Sequence, residues 1–480
     1  MTDALVVASN RGPVSWRRDH DGSLVARRGF GGLVTALGGA LQREPGTWVS
    51  VALTGDDRQV AQQHVGTPFE VEAGEATYRL RLVDAGDRYD AYYNEVSNRL
   101  LWFSVHQLWG EPYAPSGIGW HDAWEDYRSV NAAVAEEAVA ADAREVHLQD
   151  YHLTTCAPLV RREQPDAAIL QYLHTPWCHP EYLRHLPDVV ASDVMRGLLA
   201  ADVVAFSSQA WCEAFRRCAA RICDAAVDGE DVVYDGRRTR VTAFVLGVDG
   251  DDLAASAASD AVAKAGRDLD EERGDRALLL RVDRTDLSKN ILRGLLAYEL
   301  LLERHPQHRG RVWHYAHLNP SRQSVPEYRE YLQRCRSAAD RIRERFGGDC
   351  LTVFVGDDYP RAVAAQQRSD VLIANPVMDG TNLVAKEGPA LNRVDGVLVL
   401  SPNAGAADVM GDGALMVNPY DVEEQAAALH RALTMDLAER SARAQKLRAA
   451  AGRGTPTEWF RAQRDVLRQV TAGRPSSASS

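Results

Sequence analysis

Cysteine is scarce in these 480 residues: seven, at 156, 178, 212, 218, 223, 335 and 350, with no C-x-x-C pair. So sparse and odd a set in a long chain argues against a disulfide-stapled fold and fits reduced thiols in a cytosolic protein. Cys212, Cys218 and Cys223 lie close together, but their gaps match no zinc pattern, and no metal site is expected. No uninterrupted apolar run is long enough to cross a bilayer, and the opening MTD leads into a strand pattern without a basic leader. Cytoplasmic residence is the expectation. Positive charge is also in deficit: 55 lysines and arginines against 67 aspartates and glutamates give a formal charge of −12. That balance argues against a nucleic-acid or anionic-membrane partner, although local arginines can still hold a small phosphate. Solenoid repeats and long low-complexity tracts are missing as well.

What remains is an ordinary globular composition, 45% hydrophobic and 25% charged, in a chain longer than one core usually organises. Short β-type runs recur, each ending in a polar residue: ALVVA before Ser9, REVHLQ before Asp150, AILQYL before His174, VVAF before Ser207, VLIA before Asn375 and VLVL before Ser401. Helical patterns separate many of them. That alternation predicts α/β architecture with parallel sheets, in which ligands collect at the carboxyl ends of the strands. The stretch 246–268, rich in Gly, Asp, Ala and Ser, reads as the exit from a first Rossmann-like domain, with strand signals resuming near 275. The expected division is 1–250, 251–455 and a C-terminal helical segment in 456–480, whose tail GRPSSASS reads as disordered.

Two strand-to-helix turns carry the chemistry. NPVMDGTNLVAKEG, 375–388, follows the run VLIA, and the first-turn N–H groups of a helix there suit a phosphate. Asp379 precedes the turn, where its oxygens can accept from sugar hydroxyls, and Glu387 follows about two helical turns on, toward a ribose. The plain alternative is a capping Asp379 and a solvated Glu387. RVDRTDLSKN, 281–290, precedes an amphipathic helix with Ile291, Leu295, Tyr298 and Leu302 on one face. Arg284 and Lys289 flank that turn and offer a diphosphate one planar fork and one point charge. Together the two turns read as a nucleotide-sugar diphosphate site.

Elsewhere, Arg11 follows the first strand, and Gly29, Gly31 and Gly32 precede a helix, a weak anion-binding signal by itself. Asp150 and His174 each follow a strand. Asp150 can orient or deprotonate an acceptor hydroxyl, or merely partner His152, while His174 can donate to a donor-sugar hydroxyl or steady charge near the reacting carbon.

On these motifs the chain resembles the trehalose-6-phosphate synthases, retaining glycosyltransferases of family GT20. The hallmark V-x-R-x-D-x-S-K appears as Val282, Arg284, Asp286, Ser288 and Lys289, and D-G-x-N-L-V-A-K-E is intact at 379–387. ASNRGPV at 8–14, GGLVTAL at 31–37, YYNEVSN at 92–98, QDYHL at 149–153, LHTPW at 173–177 and AGAADVMGDGALMVNPYD at 404–421 follow in order. The resemblance implies a GT-B fold, two Rossmann-like domains facing a central cleft, with the C-terminal helix returning to the first domain. It implies that Arg11 binds the phosphate of glucose 6-phosphate, that Gly31 and Gly32 approach the donor diphosphate, and that Tyr93, Trp102 and Arg322 contact the acceptor. From sequence alone Tyr93 and Trp102 read equally as core aromatics, whereas Arg322, amid Pro, Ser and Gln, reads as a loop arginine without structural purpose. It further implies that Gly380, Thr381, Asn382 and Leu383 line the donor turn and that 353–365, including Asp358 and Arg361, reads the base. Catalysis then falls to Asp150, His174, Arg284 and Lys289, with no metal or other cofactor.

Departures are informative. Gln149 stands where the family usually has His, Thr285 and Asn290 alter the lysine motif, and Val51 replaces a tryptophan. Similar departures mark the validoxylamine 7′-phosphate synthases, which join two cyclitol units using GDP as carrier. The expected reaction is trehalose 6-phosphate formation from a nucleoside diphosphate glucose and glucose 6-phosphate. GDP-glucose is expected over UDP-glucose, because Asp357 and Asp358 offer acceptors to guanine's N–H groups unless they only cap the helix at Pro360. A pseudo-glycosyltransferase and a silent sugar-phosphate sensor are the rivals, and a homo-oligomer is left open.

Overall fold

The computed structural model describes residues 5–29, 32–43, 46–74, 76–110 and 119–472. The chain divides into two compact units, one comprising Met1–Val245 with Pro456–Ser480, the other Leu246–Thr455.

In the first unit a ten-stranded sheet has parallel strands at its centre, in the order Arg237–Ala243, Val203–Phe206, Ala168–Tyr172, Glu145–Gln149, Leu5–Ser9, Thr47–Val51 and Ala76–Val83. Antiparallel strands close both edges. Leu5–Ser9, Thr47–Val51 and Glu145–Gln149 are buried at every position, as strands covered on both faces must be; LVVAS is apolar up to its last residue, whereas TWVSV and EVHLQ bury polar side chains among the apolar ones. The helix Pro456–Thr471 packs on Ala168–Tyr172 and on the helix Gly32–Arg43 within this unit. The tail GRPSSASS lies outside the described residues.

In the second unit all six strands are parallel: Leu351–Val355, Val312–Asn319, Ala277–Arg284, Val371–Ala374, Val397–Leu400 and Leu415–Met416. The helix Ile291–Arg304 buries Ile291, Leu295, Tyr298 and Leu302, the face its periodicity predicts. One stretch departs from the sequence reading: 246–268 is not a bare connection. It contains the helix Gly250–Ala257, capped by Asp249, and most of Asp260–Arg273, capped by Ser259. Asp and Ser there are helix starts rather than linker residues. Among the described residues no helix is long and apolar enough to cross a membrane.

Candidate active site

In the first unit the polar residues gather at the carboxyl ends of the central strands. Asp150 follows Glu145–Gln149 at φ 70°, a left-handed conformation that costs a non-glycine residue energy and recurs at functional sites. Its carboxylate accepts from the backbone N–H of Tyr151 at 3.0 Å and of His174 at 3.3 Å, linking the ends of two adjacent strands. His152 Nδ1 stands 4.0 Å from Asp150 Oδ2, an ion-pair distance, so the partnership with His152 stands beside the contacts to the strand end. His174 lies against the rings of Tyr172 and Trp459, and burial lowers its pKa to about 3, so it is neutral at any working pH.

Arg11 is exposed just past the first strand, its carbonyl held by Ser9 Oγ at 2.7 Å. Tyr89, a residue the sequence reading missed, lies near Asn10 and Arg11 and stacks on Tyr93, which in turn stacks on His152. Tyr93 sits in the π-helix Ala91–Leu101, a wide helix form found mostly at functional sites. Trp102 is buried against Tyr151 and His106, so its core role is real whatever else it does. Gly32 opens the helix Gly32–Arg43, and Gly31 lies outside the described residues. A Cβ at Gly29 would stand 3.1 Å from Gly12 O and 3.2 Å from Pro13 O, so a side chain there would have to push this backbone back by a few tenths of an ångström.

In the second unit the two turns meet. Lys289 Nζ donates to Asp379 Oδ2 at 2.5 Å and stands 3.9 Å from Asp283 Oδ1. Burial opposes the Lys289 charge, but these two carboxylates outweigh it and raise its pKa. Asp379 is not a helix cap. The helix Val384–Leu391 starts later than the sequence suggests, because Asn382 (φ 65°) holds the chain back and its own Oδ1 accepts from Ala385 N at 3.1 Å. Glu387 accordingly lies in the first turn of that helix, not two turns along one beginning at Asp379. It is half-buried, and burial raises its pKa to about 7. Gly380 and Thr381 are buried and Leu383 half-buried on the same turn.

Arg284 ends its strand with its guanidinium 44% exposed, 3.5 Å from Ser321 Oγ and 3.9 Å from Asp286. Arg322 corrects the sequence reading: it has clear structural partners. Its guanidinium is 7% exposed, donates to Asp286 Oδ2 at 3.3 Å and to Tyr328 Oη at 2.5 Å, and lies over the Tyr328 ring. Asp358 caps the helix Tyr359–Arg368 through Arg361 N, the plainer of the two roles open to it, and Arg361 pairs with Tyr315 Oη at 2.9 Å and Glu272 at 2.6 Å. Sequence reasoning missed two further residues. Arg281, fully buried, donates to Asp283 Oδ2 at 2.7 Å, to the Lys289 carbonyl at 3.0 Å and to Asn375. Lys386 Nζ donates to Leu246 O at 2.6 Å, and burial lowers its pKa to about 8. Among the described residues no group of His, Cys, Asp and Glu is placed to hold a metal ion.

Parallel α/β units with cationic, carboxylate-bearing turns at their strand ends define a glycosyltransferase of GT-B architecture. The model of glycosyltransferase family 20 matches residues 3–469, and the chain belongs to that family. Among solved structures it resembles the trehalose-6-phosphate protein from E. coli bound with UDP-2-fluoro glucose, at a TM-score of 0.83 and 29% identity, covering 98% of this chain and 100% of that one. A second is the UDP-forming α,α-trehalose-phosphate synthase of Burkholderia xenovorans in complex with glucose-6-phosphate, at a TM-score of 0.82 and 26% identity, covering 97% and 99%. The trehalose-6-phosphate synthase of Klebsiella pneumoniae is 33% identical over 457 residues, 92% of this chain and 90% of the relative. The validamine 7-phosphate valienyltransferase of Streptomyces hygroscopicus subsp. jinggangensis is 28% identical over 497 residues, 99% and 96%.

Proposed function

We propose that the protein transfers glucose, with retention, from a nucleoside diphosphate glucose to glucose 6-phosphate, forming α,α-trehalose 6-phosphate. The observation that carries this reading is the contact of Lys289 with Asp379, which brings the two strand-to-helix turns together in one place. A cation next to a carboxylate suits a leaving diphosphate beside a hydroxylated sugar. On this reading Lys289 and Arg284 stabilise the departing diphosphate, Asp379 and the 380–383 backbone hold the sugar, and Glu387 accepts from the ribose hydroxyls. In the first unit Arg11 binds the acceptor phosphate, Tyr93 stands beside it, and Asp150 orients the attacking hydroxyl. The chemistry needs no resident cofactor. Product analysis after mixing the protein with glucose 6-phosphate and each nucleotide sugar tests the reading, and no turnover with any donor would favour a sensor.

The base is a finer matter. GDP-glucose was the expectation from Asp357 and Asp358, but Asp358 spends Oδ1 on the Arg361 N–H, and of the proteins named above the two solved structures are UDP-forming or bound to a UDP sugar. UDP-glucose should therefore support turnover. A kcat/KM measurable only with GDP-glucose would restore the first expectation. The likeness to the valienyltransferase keeps a second reading in view, coupling of a nucleotide-activated cyclitol to a cyclitol phosphate, and a cyclitol product with no trehalose 6-phosphate would decide for it.

Glu387 supplies a pH test. Burial raises its pKa to about 7, so below that pH it is neutral and its hydrogen bonds from the ribose hydroxyls lose their charge assistance. KM for the nucleotide sugar should fall several-fold between pH 6 and 8, and Glu387→Gln should abolish the dependence. The stability effect has the opposite sign. Because the folded pKa is raised above the unfolded one, the native state binds more protons between about 4.5 and 7, and Glu387 costs stability as pH rises through that window.

A further inference from the structure

Gln149 ends the strand Glu145–Gln149, is fully buried, and presents Oε1 to His174 Nε2 at 3.0 Å. Each of the groups around that ring has a distinct effect. Asp150 fixes the backbone through His174 N, while the Tyr172 ring, centred 4.5 Å away, and the Trp459 ring, at 5.8 Å, bound the imidazole. None of these three sets which ring nitrogen carries the proton; the Gln149 amide does. An amide oxygen can only accept, so Nε2 of His174 must be the protonated nitrogen. Nδ1 makes no hydrogen bond among the described residues and is not among the atoms cut off from solvent. An amide also brings no charge, whereas a histidine or a carboxylate in its place would couple to the titration of His174. Among the described residues Asp150 is the carboxylate that meets His174, at the strand end; Tyr172 from the strand His174 follows and Trp459 from the helix Pro456–Thr471 bring none.

We propose that Gln149 is a positioning residue that holds His174 as the neutral Nε2–H tautomer, so that His174 meets its substrate through an unprotonated Nδ1. The ring then accepts a hydrogen bond from a sugar hydroxyl through the single lone pair of Nδ1. It does not donate a proton. This revises the donor role expected for His174 from sequence. The consequence for transfer rests on the proposed function, but the tautomer itself does not.

The experiment uses the full chain labelled with ¹⁵N-histidine, with His174→Asn identifying the His174 signals. Expected in the unmodified protein is the ring-nitrogen pattern of a neutral Nε2–H imidazole from pH 5 to 8. Gln149→Ala should mix the tautomers and lower kcat by about 10-fold with little change in either KM. Gln149→Glu should raise the His174 pKa and move the acid limb of the kcat profile up by about one pH unit or more. A pure loss of packing would move neither the nitrogen pattern nor the limb. If Gln149→Glu does not fold, the alanine variant and the unmodified protein still decide. An Nδ1–H ring, a ring titrating near its ordinary pKa, or an unchanged pattern in Gln149→Ala would overturn the proposal. The ring-nitrogen readout stands even if no nucleotide sugar is turned over, which would defeat only the transfer reading.

Discussion

Lys289→Ala is expected to lose about 10²-fold or more in kcat with both substrates saturating, and Arg284→Ala to lose a comparable factor. The two residues act differently. Lys289 is a nearly buried cation 2.5 Å from Asp379 and 3.9 Å from Asp283, so its removal takes away a charge aimed at the leaving group and also leaves two carboxylates facing each other. Repulsion between them would push the Asp379 carboxylate away from the position it needs to accept from a sugar. Arg284 is 44% exposed, and Asp286, 3.9 Å from it, keeps Arg322 and Tyr328 as partners, so its loss should act on turnover rather than on the fold. The comparison is therefore diagnostic: Lys289→Ala should lower both kcat and melting temperature, Arg284→Ala only kcat. Steady-state kinetics beside thermal unfolding would check it. Near-normal turnover in both variants would remove the diphosphate assignment.

That pair also shows what a sequence can and cannot reveal about such a site. Ser9, Asp150, His174, Asn375 and Ser401 were legible because parallel strands buried on both faces read as β-type runs, and the polar residue that ends each must lie at a strand end. Lys289 and Asp379 could each be marked as functional, but not that they touch, since 90 residues separate them. Arg281 was not legible at all. It lies inside a strand-like run, and only the fold reveals Asp283, the Lys289 carbonyl and Asn375 around its guanidinium. Arg322 failed for the complementary reason: Pro, Ser and Gln signal a loop, yet a loop can be packed down onto buried Asp286 and Tyr328. The stretch 246–268 was read for absent strand signals, when Asp249 and Ser259 were marking helix starts.

Arg464→Ala should destabilise the first unit by about 1.5–3 kcal/mol, because it takes both guanidinium bonds from the buried Glu145 carboxylate and leaves it only His147 Nε2, 2.8 Å from Oε1. Arg464 donates through Nε to Glu145 Oε1 at 2.7 Å and through Nη2 to Oε2 at 2.8 Å, a bidentate pair in which both side chains are no more than 10% exposed. The pair joins residues 319 apart, the helix Pro456–Thr471 to the start of the strand whose far end carries Gln149 and Asp150. The same helix places Trp459 beside Tyr172 and His174. Loosening it should therefore reach the chemistry as well as the fold, lowering kcat at temperatures where the variant is still folded. Urea unfolding of Arg464→Ala, Glu145→Gln and the double variant separates the two contributions. If the pair works as a unit, the double variant loses less than the two single losses added together, since no full charge is left unpaired. A loss below about 1 kcal/mol in Arg464→Ala would mean that water reaches Glu145 and that the pair has only the value of a surface contact. In that case His174 would owe its position to the Tyr172 and Trp459 rings and the Gln149 and Asp150 hydrogen bonds, and kcat should stay unchanged in the same variant.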